Sequence, residues 1–151
     1  MDLTEWESLL RIGLAAILGG VIGYERETLD KSAGLRTHML VSLGSALFMV
    51  ASILIVQDFA EADSQSRVDP TRIASTIVTG IGFLGGGIIF RQESRVHGLT
   101  TAAGLWVAAA IGLACGAGYY IMAGGGALMA LVILGLIRPL EKRMDTRDDA
   151  E

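Results

Sequence analysis

The sequence predicts an all-α integral membrane protein, a bundle of five transmembrane helices with its N-terminus outside and its C-terminus in the cytoplasm. Three observations carry this. Long runs of Ala, Gly, Leu, Ile and Val are uncharged, the longest being Val96–Ile137, 42 residues without Asp, Glu, Lys or Arg. As helix, such a run extends about 63 Å, roughly twice the hydrocarbon thickness of a bilayer. A chain of 151 residues has no soluble core able to bury it. The charges gather in short clusters between the runs. With five spans, nine basic residues (Arg26, Lys31, Arg36, Arg91, Arg95, Arg138, Lys142, Arg143, Arg147) fall on one side and three (Arg11, Arg67, Arg72) on the other. That asymmetry marks the first side as cytoplasmic.

The first span, Leu9–Tyr24, has only 16 residues, about 24 Å of helix against a core of about 30 Å. The preceding "MDLTEWESLL" is acidic where a signal peptide needs a basic leader, and no small-residue cleavage site ends the run, so it is expected to remain as a membrane helix. Met39–Val56 forms the second span. An acidic external loop, Gln57–Asp69, leads to the third, Thr71–Phe90, where Asp69 can cap and Pro70 suits a first helical turn. Leu99–Cys115 is the fourth, with Thr100 and Thr101 as expected caps. Gly116-Ala117-Gly118 makes the tight turn into the fifth, Tyr119–Ile137. Residues 1–137 are thus one transmembrane domain and 138–151 a charged cytoplasmic tail.

Several function classes are excluded. Gly80-Ile81-Gly82-Phe83-Leu84-Gly85 spells G-x-G-x-x-G, but no acidic residue stands about 20 positions later to hold a ribose, and no Lys-Ser or Lys-Thr follows as a phosphate loop requires. No basic patch interleaved with aromatics points to nucleic acid. Cys115, the only cysteine, lies in an apolar run and forms no internal disulfide. No nucleophile–base pair is visible, and the protein is not expected to be an enzyme.

The glycines fit helix packing, because helices in lipid associate through close backbone approach at small residues. Four stripes have the spacing: Ala16-Gly20-Gly23, Ser42-Ser45-Ala46, Ser75-Thr79-Gly82-Gly86 and Gly104-Ala108-Gly112-Gly116. They exceed what one small bundle consumes, so a homodimer or higher homo-oligomer is expected. Gly85, Gly86 and Gly87 go further, since each weakens a helix by about 1 kcal/mol relative to alanine and packing needs only one. An unwound segment there could expose carbonyls to an ion or ligand, with Thr100 nearby. No cofactor is expected beyond an Mg2+ ion at such carbonyls.

Three charged clusters converge on the inner face: Tyr24–His38, Arg91–His97 and the tail. The short first span draws Glu25 toward the hydrocarbon, where a carboxylate needs a cation. Glu25, Arg26, Glu27, Arg36 and Arg91 are therefore the candidate functional charges, Arg36 and Arg91 being the expected partners of Glu25. His38 and His97 could ligate a metal with Glu25 or Glu27, but no recognised ligand spacing connects them.

Three segments, "GGVIGYERE" (19–27), "AGLRTHMLVSLGSALF" (33–48) and Asp69–Tyr120, together resemble the membrane domain of the MgtC/SapB family. The resemblance implies a bacterial inner-membrane protein linked to growth under magnesium limitation. It also implies regulation of other inner-membrane complexes, the alternative being transport of magnesium or another small solute. Longer family members carry a soluble domain after the last helix, where 14 residues follow Ile137 here.

Overall fold

The computed structural model describes residues 3–62, 71–92 and 95–148, with side chains placed over 3–58, 72–92 and 95–135. Five helices follow in order: α1 (Glu5–Thr28), α2 (Leu35–Ala62), α3 (Thr71–Ile88), α4 (Leu99–Gly116) and α5 (Tyr120–Asp148). Three stretches, Glu5–Thr28, Leu35–Asp58 and Leu99–Gly116, are long and apolar enough to cross a membrane. α3 and α5 carry the shorter apolar stretches Arg72–Ile88 and Tyr120–Gly135. Apolar runs become helices because only a helix satisfies every backbone donor and acceptor within its own segment.

α1 begins at Thr4, whose hydroxyl accepts the Glu7 N–H at 3.2 Å, and its first turn carries Glu5 and Glu7 at the positive end of the helix dipole. One turn on, Arg11 is half-buried. It pairs with Glu7 at 2.6 Å and donates to the Gly116 carbonyl at 2.9 Å, satisfying one of the open acceptors at the end of α4. Gly118, at φ 85°, makes the turn into α5 in the left-handed conformation that favours glycine.

The packed centre is built from α1, α2 and α4. A methyl added at Gly19 would lie 2.6 Å from the His38 carbonyl, and one at Gly23 would lie 2.8 Å from the Leu35 Cα. On α4, Gly104, Ala108, Gly112 and Gly116 are all buried, and methyls at Gly112 and Gly116 would run into the backbone of Ser42 and Ala46. Ser42, Ser45 and Ala46 are the buried face of α2. α5 closes the core with Ala123, Ala127 and Ala130, spaced four and three apart on one face.

α3 differs from expectation. Its small residues face outward: Ser75 and Thr79 are exposed and return their hydroxyls to the carbonyls of Arg72 and Ser75, while Gly82 and Gly86 have no atom within 4 Å of an added methyl. Gly85, Gly86 and Gly87 are not unwound but lie inside a continuous helix. The physical reason is that carbonyls released from the ladder into apolar surroundings cost several kcal/mol each, more than the helix penalty of a glycine. Only Gly85 of the three is buried, against Ala102 of α4.

Between α3 and α4 the sequence predicts only a charged loop, and the structure has a hairpin. Strands β1 (Phe90–Gln92) and β2 (Arg95–His97) pair antiparallel, with the Phe90 and His97 rings stacked at 5.4 Å. The expected caps of α3, Asp69 and Pro70, lie outside the described residues, as does most of the predicted acidic external loop. α4 is not capped by Thr100 or Thr101. Its cap is Gly98 at φ 88°, without a side-chain hydrogen bond. A methyl there would collide with the Ile88 carbonyl.

Candidate functional site

The candidate charges collect where the end of α1, the α1–α2 connection, the hairpin and the start of α4 meet. The connection is held by its backbone: the Asp30 and Lys31 N–H groups donate to the carbonyls of Glu27 and Arg26, at 3.0 and 3.1 Å. Asp30 takes a positive φ of 52° to end α1. Glu27 is exposed and its carboxylate accepts the Leu35 N–H at 2.9 Å, so it caps the start of α2. Gly34 is required beside it, because a methyl there would overlap that carboxylate.

Glu25 and Arg26 form the buried part. Arg26 is 3% exposed, and among the described residues its ion pair is to Glu25 at 3.5 Å. Consecutive helix positions point about 100° apart, so the two side chains meet at their tips without a hydrogen bond. Both Glu25 carboxylate oxygens and the Arg26 Nε are buried without a hydrogen-bond partner. This is an unusual concentration of unmet polar capacity for a helix end.

Arg36 does not join them. It stands exposed in the first turn of α2, two positions from His38, which faces the core; two positions rotate a side chain by roughly 200°. Arg91 is exposed on β1. Among the described residues, the ion pair that Glu25 makes is with its own neighbour Arg26.

His38 and Ser42 complete the polar interior, and sequence reasoning did not assign them to a buried cluster. His38 is 0% exposed, its Nδ1–H donates to the Gly34 carbonyl at 2.9 Å, and its Nε2 has no partner. Gly104 of α4 makes room for that nitrogen, since a methyl there would stand 3.3 Å away. The Ser42 hydroxyl one turn deeper is also buried without a partner. The signal available in the sequence was the i, i+4 spacing of His38 and Ser42 on the face that carries Ser45 and Ala46. His38 and His97 do not share a metal site: among the described residues no three His, Cys, Asp or Glu side chains come close enough to hold an ion.

A cavity of about 600 Å³ opens beside this cluster. Arg26, Asp30, Lys31 and Ser32 line one side, the hairpin and residues Gly98–Thr101 another, and Ile133 and Leu134 of α5 the third. Thr100, expected near an unwound glycine segment, lies instead on this wall.

No solved structure matches the chain. The MgtC family matches over residues 12–143. A protein of Escherichia coli (strain K12) named "Putative magnesium transporter YhiD" is 45% identical over 138 residues, covering 91% of this chain and 64% of its own length. A Brucella abortus (strain 2308) protein named "Protein MgtC" is 46% identical over 126 residues, 83% of this chain and 49% of its own length. An uncharacterized protein of Synechocystis is 46% identical over 137 residues, 90% of this chain and 55% of its own length. The chain thus spans about half to two thirds of the relatives it matches. A family match across most of the sequence, with relatives about 45% identical over most of the chain, places the protein in the MgtC family.

Proposed function

We propose that this protein is a multi-pass protein of the bacterial inner membrane that supports magnesium homeostasis, and growth when magnesium is limiting, by acting on other membrane proteins. The magnesium link is supported by the family and by the name of the Escherichia coli relative. The observation that carries regulation over transport is the centre of the bundle. Glycines hold α1, α2 and α4 in backbone contact along Gly19, Gly23, Gly112 and Gly116, leaving no passage between those three helices. The charges lie at the two ends of that centre, Glu25 and Arg26 at one and Glu7 and Arg11 at the other, rather than along it, where a cation pathway would need its ligands.

Transport is the second reading, and one observation favours it: the Glu25 carboxylate, with two oxygens lacking hydrogen bonds, has the chemistry of a cation ligand. Magnesium flux into proteoliposomes separates the two. Regulation predicts uptake no faster than in protein-free vesicles. Saturable uptake that is abolished by Glu25→Gln would establish transport.

In this proposal all five helices cross the membrane, with the N-terminus outside, and copies associate through the exposed small-residue face of α3. A Cys115→Ala background permits one test of both. Tyr119→Cys should be labelled by an impermeant thiol reagent applied outside intact cells, and Ser32→Cys should be protected. Gly86→Cys should yield a disulfide-linked dimer under mild oxidation. Labelling of Ser32→Cys with protection of Tyr119→Cys would invert the topology, and a monomeric Gly86→Cys would remove α3 as the interface.

A further inference from the structure

We infer that the cavity beside Arg26 is a binding site for a phosphate-class anion, either free phosphate or the phosphate of a lipid headgroup. The start of α4 supplies the first half of the site. The Ala102 N–H is bonded to the Gly98 carbonyl at 2.8 Å, which leaves the N–H groups of Leu99, Thr100 and Thr101 without intrahelical acceptors. The cap residue Gly98 has no side chain to offer them, and they stand at the positive end of an 18-residue helix. Backbone donors gathered at such an end form a ready site for an oxyanion.

Arg26 supplies the second half independently. A guanidinium carries five donors in a fixed fork suited to phosphate oxygens. Here it is 97% removed from solvent, on the wall of the same cavity, with its Nε unbonded and Glu25 only at 3.5 Å. A buried guanidinium with an unbonded Nε is costly, and an anion entering the cavity would supply the missing acceptor. Lys31 adds a second positive charge on the lining, and the carboxylates that offset the two are Asp30 on the lining and Glu25 beside Arg26. Ile133 and Leu134 give the remaining wall an apolar surface along which an acyl chain could lie. The inference holds whether the protein regulates or transports, because it concerns occupancy of this end and not passage through the bundle.

The test uses the whole protein purified in mild detergent, with two probes. Inorganic phosphate is titrated by calorimetry, and phosphatidylglycerol is added for native mass spectrometry, each on the wild type, Arg26→Gln and Thr100→Asp. Thr100 is exposed, and an aspartate in the first turn suits the helix dipole, so Thr100→Asp should fold while placing a repelling carboxylate at the site. Saturable phosphate binding weakened at least tenfold by Thr100→Asp identifies free phosphate as a ligand. Retention of phosphatidylglycerol by the wild type, lost in Thr100→Asp, without binding of inorganic phosphate, identifies a headgroup. If Arg26→Gln fails to fold, Thr100→Asp decides alone. Binding of neither probe, or binding that Thr100→Asp leaves unchanged, overturns the inference.

Discussion

Replacing Gly112 with alanine is expected to destabilise the protein more than any other single-methyl change on the exposed or buried glycines of α4 and α5. The added methyl would collide with the Ser42 carbonyl oxygen and sit 2.7 Å from its carbonyl carbon and 2.9 Å from its Cα. All three atoms are backbone, so no rotamer change relieves the clash and α2 must move away from α4. Overpacking in a well-filled core typically costs about 1–3 kcal/mol, and a backbone obstacle puts this site at the upper end. Gly124→Ala is the control. An added methyl there meets nothing within 4 Å, and exchanging glycine for alanine inside a helix favours folding by up to about 1 kcal/mol. Thermal unfolding in one detergent should show a clear fall in Tm for Gly112→Ala and none for Gly124→Ala. Equal behaviour of the two would mean that α2 and α4 are not in backbone contact.

That contrast also marks how far the sequence could be read. The α4 stripe was legible because residues four apart share a helix face, and Gly104, Ala108, Gly112 and Gly116 do lie together in the core. The α3 stripe, spaced by four, three and four, also shares one face, and that face points outward. Spacing shows which residues share a face, but only the neighbours decide whether that face is covered. The apolar segments all became helices, yet α1 runs four residues beyond its apolar limits at each end, Glu5–Thr28 against Leu9–Tyr24. Hydropathy marks the part suited to lipid, whereas the hydrogen-bond ladder continues into the polar ends. The hairpin at 90–97 carries none of the Asn-Gly or Asp-Gly signals that announce a tight turn, and Gly98 was passed over as a cap because threonines beside it have the usual chemistry.

The charged end was legible in one respect and not in another. A span too short for the bilayer drew attention to Glu25, which the structure half-buries beside Arg26. Its partner was not legible, because pairing depends on the rotational phase of α2, and that phase was set by packing His38 and Ser42 inward. Arg36 was thereby turned to the surface.

Substituting either member of the Glu25–Arg26 pair is expected to abolish rescue of a magnesium-limited strain that lacks the protein, and the double substitution should reveal why. Arg26→Gln leaves the Glu25 carboxylate buried with no cation, and Glu25→Gln leaves the Arg26 guanidinium buried with no anion. Removing one partner of a buried ion pair costs about 3–5 kcal/mol, and the 3.5 Å separation without hydrogen bonds puts this pair toward or below the lower figure. Either single variant could therefore lose function through loss of folding alone. Glu25→Gln with Arg26→Gln removes both charges and retains the side-chain volumes, so it should regain most of the lost thermal stability, with a coupling energy of at least about 1 kcal/mol. Arg36→Ala, at an exposed position, should leave the melting temperature unchanged. If the charges serve function, the double variant will be inserted and stable yet still fail to support growth in low magnesium. A double variant that restores stability and growth together would reduce the pair to a structural element of the α1–α2 end.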